Sequence, residues 1–228
     1  SLEDSGGGKG GFIVDNYHVT GDTCPIMISN SRTYTVESVT SGHPDKICDQ
    51  ISDAILDECL RQDTKSRVAV ESFGGHGLLV IGGEITSGAK FDAVEIARKV
   101  YADIGYTPTP NLVWGYTAEL KIITNIVQQS PDIAQDVNTG GAGDQGIMYG
   151  YATADTPEFL PKVLIQVHAL AKGLENLRRG GERWLRPDGK TQITVEDGKI
   201  KTLLVSVQHD AAVEQEFIRT RLIEKLFG

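Results

Sequence analysis

The 228-residue sequence predicts an α+β fold of two similar layers, each a mixed or antiparallel sheet with helices on one face. Three observations carry that expectation. Apolar residues recur at helical spacing after Pro44, across 91–104 and after Pro161. Two pairs of β-prone segments flank turn-forming loops, Gly74-Gly75-His76-Gly77 and Glu196-Asp197-Gly198-Lys199. The elements run strand, helix, hairpin, helix and then helix, hairpin, helix, without a short-period repeat.

Residues 1–11 read as a flexible glycine-rich leader, and the rest of 1–31 as an atypical extension with room for an extra hairpin. Lys9 among glycines lacks the Gly-Lys-Ser/Thr ending of a phosphate loop. Thr33–Val39 alternates as a short strand. A helix then opens at Pro44, whose missing N–H suits a first helical position, and runs to about Gln62 with Ile47, Ile51 and Ile55 on one side. Strands follow at Arg67–Phe73 and Leu78–Thr86, then a helix from Phe91 to Ile104. Leu112–Val127 is apolar and fits either strand or helix, and Ser130-Pro131-Asp132 turns the chain. Pro161 starts a helix that Gly180-Gly181 stops. Thr191–Val195 and Ile200–Val207 form the second hairpin, and Asp210 suits the cap of a last helix carrying Val213, Phe217 and Leu222. The expected regions are 1–31, 32–138 and 139–228.

With 39% hydrophobic residues the chain can bury a proper core. A net charge of −9 argues against nucleic-acid and anionic-membrane partners while leaving room for a local basic pocket. Cys24, Cys48 and Cys59 are odd in number and lack metal-ligand spacing, which fits a reducing, cytoplasmic setting. No membrane span or signal-peptide core is legible.

Gly42-His43-Pro44-Asp45-Lys46 gathers an imidazole, a carboxylate and an ammonium at a helix start, where free N–H groups and the dipole favour anions. His43 and Lys46 suit a polyphosphate, and Asp45 the metal that accompanies one; the plainer reading is a charged cap. Glu71 and Glu84 are carboxylates in otherwise apolar strands. A four-residue hairpin loop puts them on one sheet face, about 13 Å apart along the strands, with Arg67 opposite Glu84. They are either solvated acids with a cross-strand ion pair or sites for a cation and a substrate ammonium. Thr139 to Gly146 is rich enough in glycine for close backbone approach to a ligand, with Asp144 able to bond a ribose or base, or it is only a connection. In Trp184-Leu185-Arg186-Pro187-Asp188-Gly189-Lys190, the Arg/Lys pair suits phosphate and Asp188 an adenosine group; the plainer reading is a Pro-Asp-Gly turn with solvated charges. His18, His76, His168 and His209 lack paired ligand spacing and read as surface or hydrogen-bonded residues.

Taken in order, Glu37-Ser38, Gly42-His43-Pro44-Asp45-Lys46-Ile47, Gly83-Glu84-Ile85-Thr86, Gln129-Ser130-Pro131-Asp132-Ile133, Gly141-Ala142-Gly143-Asp144-Gln145-Gly146 and Trp184–Lys190 resemble the S-adenosylmethionine synthetases (methionine adenosyltransferases), from about Arg32 to the last residue. The resemblance implies a synthetase-like α+β fold and a transferase of one-carbon metabolism. Methionine sulfur attacks ribose C5′ of ATP, and the displaced triphosphate is cleaved to phosphate and pyrophosphate. It implies His43 beside the ribose and leaving oxygen, Lys190 on the phosphates, Lys46, Asp144 and Asp188 in ATP binding, and Glu84 and Gln129 in methionine binding. It also implies Mg²⁺ at Asp45, K⁺ at Glu71, and a mobile gate from Gln129 to about Gly140. Family members form active sites between subunits and carry a third, C-terminal domain with a second lysine-bearing glycine loop. The expectation is therefore a homodimer or higher oligomer, or a second subunit supplying that part. The alternatives are a catalytically inactive nucleotide- or partner-binding relative and a different ATP-dependent transferase.

Overall fold

In the computed structural model the described residues are 33–106, 120–129, 140 and 146–228, with the backbone of 9–15. The chain forms two compact units, Ser1–His43 with Ala152–Gly228 and Pro44–Tyr151.

The first unit is built on a four-stranded antiparallel sheet in the order β1-β7-β6-β2, from β1 (Lys9–Asp15), β2 (Thr33–Val39), β6 (Leu185–Glu196) and β7 (Lys199–His209). Lys9–Gly11, expected in the leader, belong to β1, which pairs along β7 from Lys9 opposite Gln208 to Asp15 opposite Thr202. β2, grouped by sequence with the 32–138 region, pairs here with β6, Thr33 opposite Glu196 and Val39 opposite Lys190. A strand's linear neighbours do not decide which sheet edge accepts it.

Two helices cover this sheet, α3 (Lys162–Arg179) and α4 (Gln215–Phe227). Val167 and Leu174 of α3, Ile218 and Leu222 of α4, and Ile193, Val195, Val205 and Val207 of the hairpin form one buried cluster. Asp210 does not cap α4. Its carboxylate accepts from the Ala212 N–H in a turn and pairs with Arg186, and the helix begins five residues later at Gln215. Trp184 meets Phe217 edge-on, and Arg221 bonds Glu182, tying α4 to the strand that it covers.

The second unit holds α1 (Pro44–Gln62), β3 (Arg67–Gly75), β4 (Leu78–Thr86), α2 (Ala93–Ile104) and β5 (Lys121–Gln128). β3 and β4 are antiparallel while β5 runs parallel to β4, so this sheet is mixed. Ile47, Ile51 and Ile55 of α1 and Ala97, Tyr101 and Ile104 of α2 bury against Val70, Leu79 and Ile81. Asp92, accepting from the N–H groups of Val94 and Glu95, starts α2 at Ala93 rather than Phe91. Of the ambiguous 112–127 segment, 121–127 is strand; 112–119 lie outside the described residues.

Candidate functional site

The sequence motif around Pro187 is not a turn. Proline has no N–H for the ladder, so a strand that contains it must bulge or lie at an edge. Here Leu185 faces His209 and Gly189 faces Val207, so 186, 187 and 188 stand opposite Gln208 alone. This bulge in β6 re-aims its residues. Arg186 reaches Asp210 at 3.0 Å, and Asp188 is buried.

The turn at residues 40–43 sits on that bulge. Thr40 donates its N–H to the Gly189 carbonyl at 2.9 Å and its hydroxyl to the Pro187 carbonyl at 2.6 Å. The His43 N–H closes the turn on the Thr40 carbonyl at 3.1 Å. A methyl group on Gly42 would stand 2.4 Å from the Pro187 Cβ, so only glycine permits this approach. Two motifs about 145 positions apart thus form one structure in the first unit, carrying His43, Asp188 and Lys190.

Beside them lies a residue that sequence reasoning passed over as a candidate, Glu37 on the solvent-facing side of β2. Lys190 Nζ donates to it at 3.0 Å, and Gln192 donates to its other oxygen. Hydrogen bonds from Lys190 and Gln192, with the charges of Lys190 and His43, hold its carboxyl below the usual range. The alternation of β2 marks Glu37 as facing away from Val36, but its pairing with Lys190 depends on the β2–β6 register, which no local pattern encodes.

The other candidates lie in the second unit. Asp45 and Lys46 open α1, both exposed, with Lys46 3.5 Å from Asp49. A cleft of about 400 Å³ between α1 and β3 is lined by Lys46, Asp49 and Asp53 of the helix and by Glu71 of the strand. The hairpin register differs from the expected one. Gly75 faces Leu78 across a two-residue His76-Gly77 loop, so Glu71 faces Gly82 and Glu84 faces Ala69. His76 at φ 48 and Gly77 at φ 77 supply the left-handed pair that a two-residue hairpin turn requires. A slip of two residues keeps both carboxylates on the same face but brings them to about 7 Å apart along the strands. Arg67 accordingly faces Thr86, not Glu84.

Gln129 follows β5 with its Oε1 buried. A cavity of about 610 Å³ lies at the carboxyl ends of β4 and β5, lined by Ile85, Phe91 and Ile126 among others; neither Glu84 nor Gln129 lines it. Asp144 and the gate residues 130–139 lie outside the described residues, as do His18 and Cys24. His168 bonds Ser38 at 2.7 Å and His209 the Asp210 carbonyl at 2.9 Å, the satisfied roles expected of them. Cys48 and Cys59 are buried free thiols whose ionisation burial suppresses.

Two α+β units with glycine-bearing, cation-bearing loop ends define the class, and comparison with known proteins gives the family. The model of the "S-adenosylmethionine synthetase, N-terminal domain" matches residues 31–131, and that of the "S-adenosylmethionine synthetase, central domain" matches 139–228. An S-adenosylmethionine synthase of Nostoc punctiforme is 48% identical over 208 residues, covering 82% of this chain and 48% of its own length. One from Trichormus variabilis is 48% identical over 235 residues, covering 88% and 55%. S-adenosylmethionine synthase 1 of Rhodospirillum rubrum is 48% identical over 205 residues, covering 85% and 53%. The chain belongs to the S-adenosylmethionine synthetase family, and it spans about half the length of these relatives.

Proposed function

We propose that the chain supplies the nucleotide-binding part of a methionine adenosyltransferase, joining L-methionine to ATP with loss of phosphate and pyrophosphate. The observation that carries this reading is the docking of the 40–43 turn on the Pro187 bulge, which assembles His43, Asp188 and Lys190 from separate motifs.

The chemistry asks for little covalent participation by the protein. A neutral sulfur becomes a sulfonium while a polyanion leaves, so alignment of the two reactants and neutralisation of the leaving triphosphate dominate. Lys190 is paired with Glu37 and less than half exposed, so it is held in place for a phosphate oxygen while remaining reachable. His43 would donate to the leaving oxygen from a turn that cannot drift, because both Thr40 and Gly42 are fixed on β6. Asp188, buried at the bulge, would receive a nucleoside hydroxyl or amine. In the second unit Lys46 would add a cation to the phosphates, and Asp144 is assigned to adenosine by family likeness alone. Glu84 would take the methionine ammonium, with Gln129 offering its buried amide oxygen.

An exposed carboxylate at Asp45 fits Mg²⁺, which keeps waters and needs only one or two protein oxygens beside substrate phosphates. Mg²⁺ bound there would neutralise charge on the leaving group. Glu71 would contribute one oxygen to K⁺. The exposed Phe73 (71%), Val127 (51%) and Ile123 (41%) on one face of the second sheet favour an oligomer or a second subunit. Buried free Cys48 and Cys59 favour a reducing, cytoplasmic setting. Among the described residues no helix is long and apolar enough to cross a membrane.

Calorimetric titration with Mg·ATP tests the reading. Wild-type chain should bind, and His43→Ala and Lys190→Ala should each weaken binding about tenfold, a loss of about 1.4 kcal/mol. Equal affinity in all three refutes it. Incubated alone with ATP, L-methionine, Mg²⁺ and K⁺, the chain should make little S-adenosylmethionine, and robust turnover would overturn the need for a further part. Failure of the wild type to bind Mg·ATP would leave the inactive, partner-binding alternative standing.

A further inference from the structure

Directly behind the Glu37–Lys190 pair, two strands and a helix are joined by polar contacts. Side chains alternate along a strand, so the residue next to a site residue points to the opposite face. In β2 that residue is Ser38, beside Glu37; in β6 it is Thr191, between Lys190 and Gln192. Ser38 and Thr191 stand opposite each other in the β2–β6 register. α3 holds both from consecutive positions. The Thr191 hydroxyl donates to the Val167 carbonyl at 2.9 Å, and Ser38 Oγ bonds His168 Nδ1 at 2.7 Å.

Thr191 and Val167 are both fully buried. A hydroxyl at that depth is costly unless it is bonded. The Val167 carbonyl belongs to the α3 ladder and takes this hydroxyl on its second lone pair. The Ser38 carbonyl lies farther off, at 3.4 Å, so the bond to α3 takes the single hydroxyl proton. That bond fixes how β6 lies beneath α3, and any tilt of β6 there swings the adjacent Lys190 on the front face. We propose that Thr191 is a positioning residue for Lys190, through which α3 sets where the ammonium is presented to a phosphate. The Ser38–His168 bond holds the Glu37 side of the pair in the same way. The inference rests on the reading of Lys190 as a phosphate contact. Thr191 touches no reacting atom. Glu37 orients the tip of the lysine, whereas Thr191 anchors its root, and small misplacement of a group that meets the substrate is expensive.

The experiment follows Lys190 itself, by ¹H–¹³C correlation NMR of the lysine Cε groups in the whole chain at fixed pH, beside Mg·ATP affinity. The signal lost in Lys190→Ala assigns it. Thr191→Val keeps the shape, removes the hydroxyl and leaves the Val167 carbonyl its helical bond. It should shift the Lys190 signal and weaken Mg·ATP about fivefold. In a Lys190→Ala background the same change should cost nothing further, because Thr191 acts only through the lysine. Thr191→Ser, which keeps the hydroxyl, should hold the wild-type signal and affinity. Ile218→Val, a loss of core packing in α4, should lower the unfolding midpoint and leave both readouts alone. An unmoved Lys190 signal in Thr191→Val would overturn the proposal, and so would losses that add in the double variant. If Thr191→Val does not fold, Ser38→Ala decides in its place. It cuts the His168 bond on the neighbouring strand and should shift the Lys190 signal; an unmoved signal there refutes the proposal equally. Should Lys190→Ala bind Mg·ATP like the wild type, the functional reading of the site falls, while the Lys190 signal still decides whether Thr191 sets its position.

Discussion

At the residue scale, the site is shaped more by what is missing than by what is charged. Gly42 has no side chain, and a methyl group there would overlap Pro187 Cβ, C and O at 2.4–2.5 Å. Gly42→Ala is expected to lift the turn off the bulge and cost about 1–3 kcal/mol, as overpacking does. Urea unfolding measures that loss, and Mg·ATP affinity should fall with it; an unchanged midpoint would mean the bulge yields. Charged residues at the site are arranged in pairs. Lys190 is paired with Glu37, so its ammonium is already oriented when an anion arrives. Lysine and His43 were legible as candidates because their motif says so. Glu37 and Thr40 were not, because a strand Glu and a Thr are ordinary residues until the β2–β6 register puts them against Lys190 and Pro187.

At the element scale, α3 and α4 differ in how they are secured. α3 carries the Glu175–Arg178–Arg179 cluster in its last turns, where arginines also suit the helix dipole. Burial pushes the Glu175 carboxyl up, but hydrogen bonds from Arg178 and Arg179 and the Arg178 charge outweigh it, and it lies below its ordinary value of 4.5. The sign follows from linkage. With the folded value depressed, the contribution to stability is fully present above the unfolded value near 4.5 and is lost as pH falls through the lower folded value. Unfolding free energies between about pH 6 and pH 3 should therefore fall less steeply in Glu175→Gln than in the wild type. A parallel slope would show that the carboxylate is not held in its charged form. α4 depends instead on packing. Its start lacks a side-chain cap, Asp210 being spent on a turn and on Arg186, so fully buried Ile218 and Leu222 hold it. Leu222→Ala should cost about 2–5 kcal/mol in thermal or urea unfolding, depending on how far the void collapses. The helix period was readable in the sequence; the cap was misplaced because a local Asp has several possible hydrogen-bond partners, and tertiary contact chose among them.

At the scale of the whole molecule, chain order and spatial grouping part company. β1 and β2 come first in sequence yet complete the sheet made by β6 and β7. Deleting residues 1–31 removes β1 and leaves the β7 backbone unpaired on that side, so the β7 amides that face β1 should exchange with solvent much faster. Unchanged exchange would mean that β1 lends β7 no protection. The sequence by itself determined the α+β class, the helix at Pro44, both hairpins and the family, because hydrophobic period, turn residues and short motifs are local properties. It also determined that Glu71 and Glu84 share a face, since parity survives a slip of two residues. Only the tertiary structure decided how far apart those acids stand, that Pro187 makes a bulge, and which groups fix Lys190 and the His43 turn. Those outcomes depend on register and on contacts between residues as far apart as Glu37 and Lys190, or Thr40 and Pro187. Such contacts gain nothing until the sheet is assembled, so no window of sequence records them.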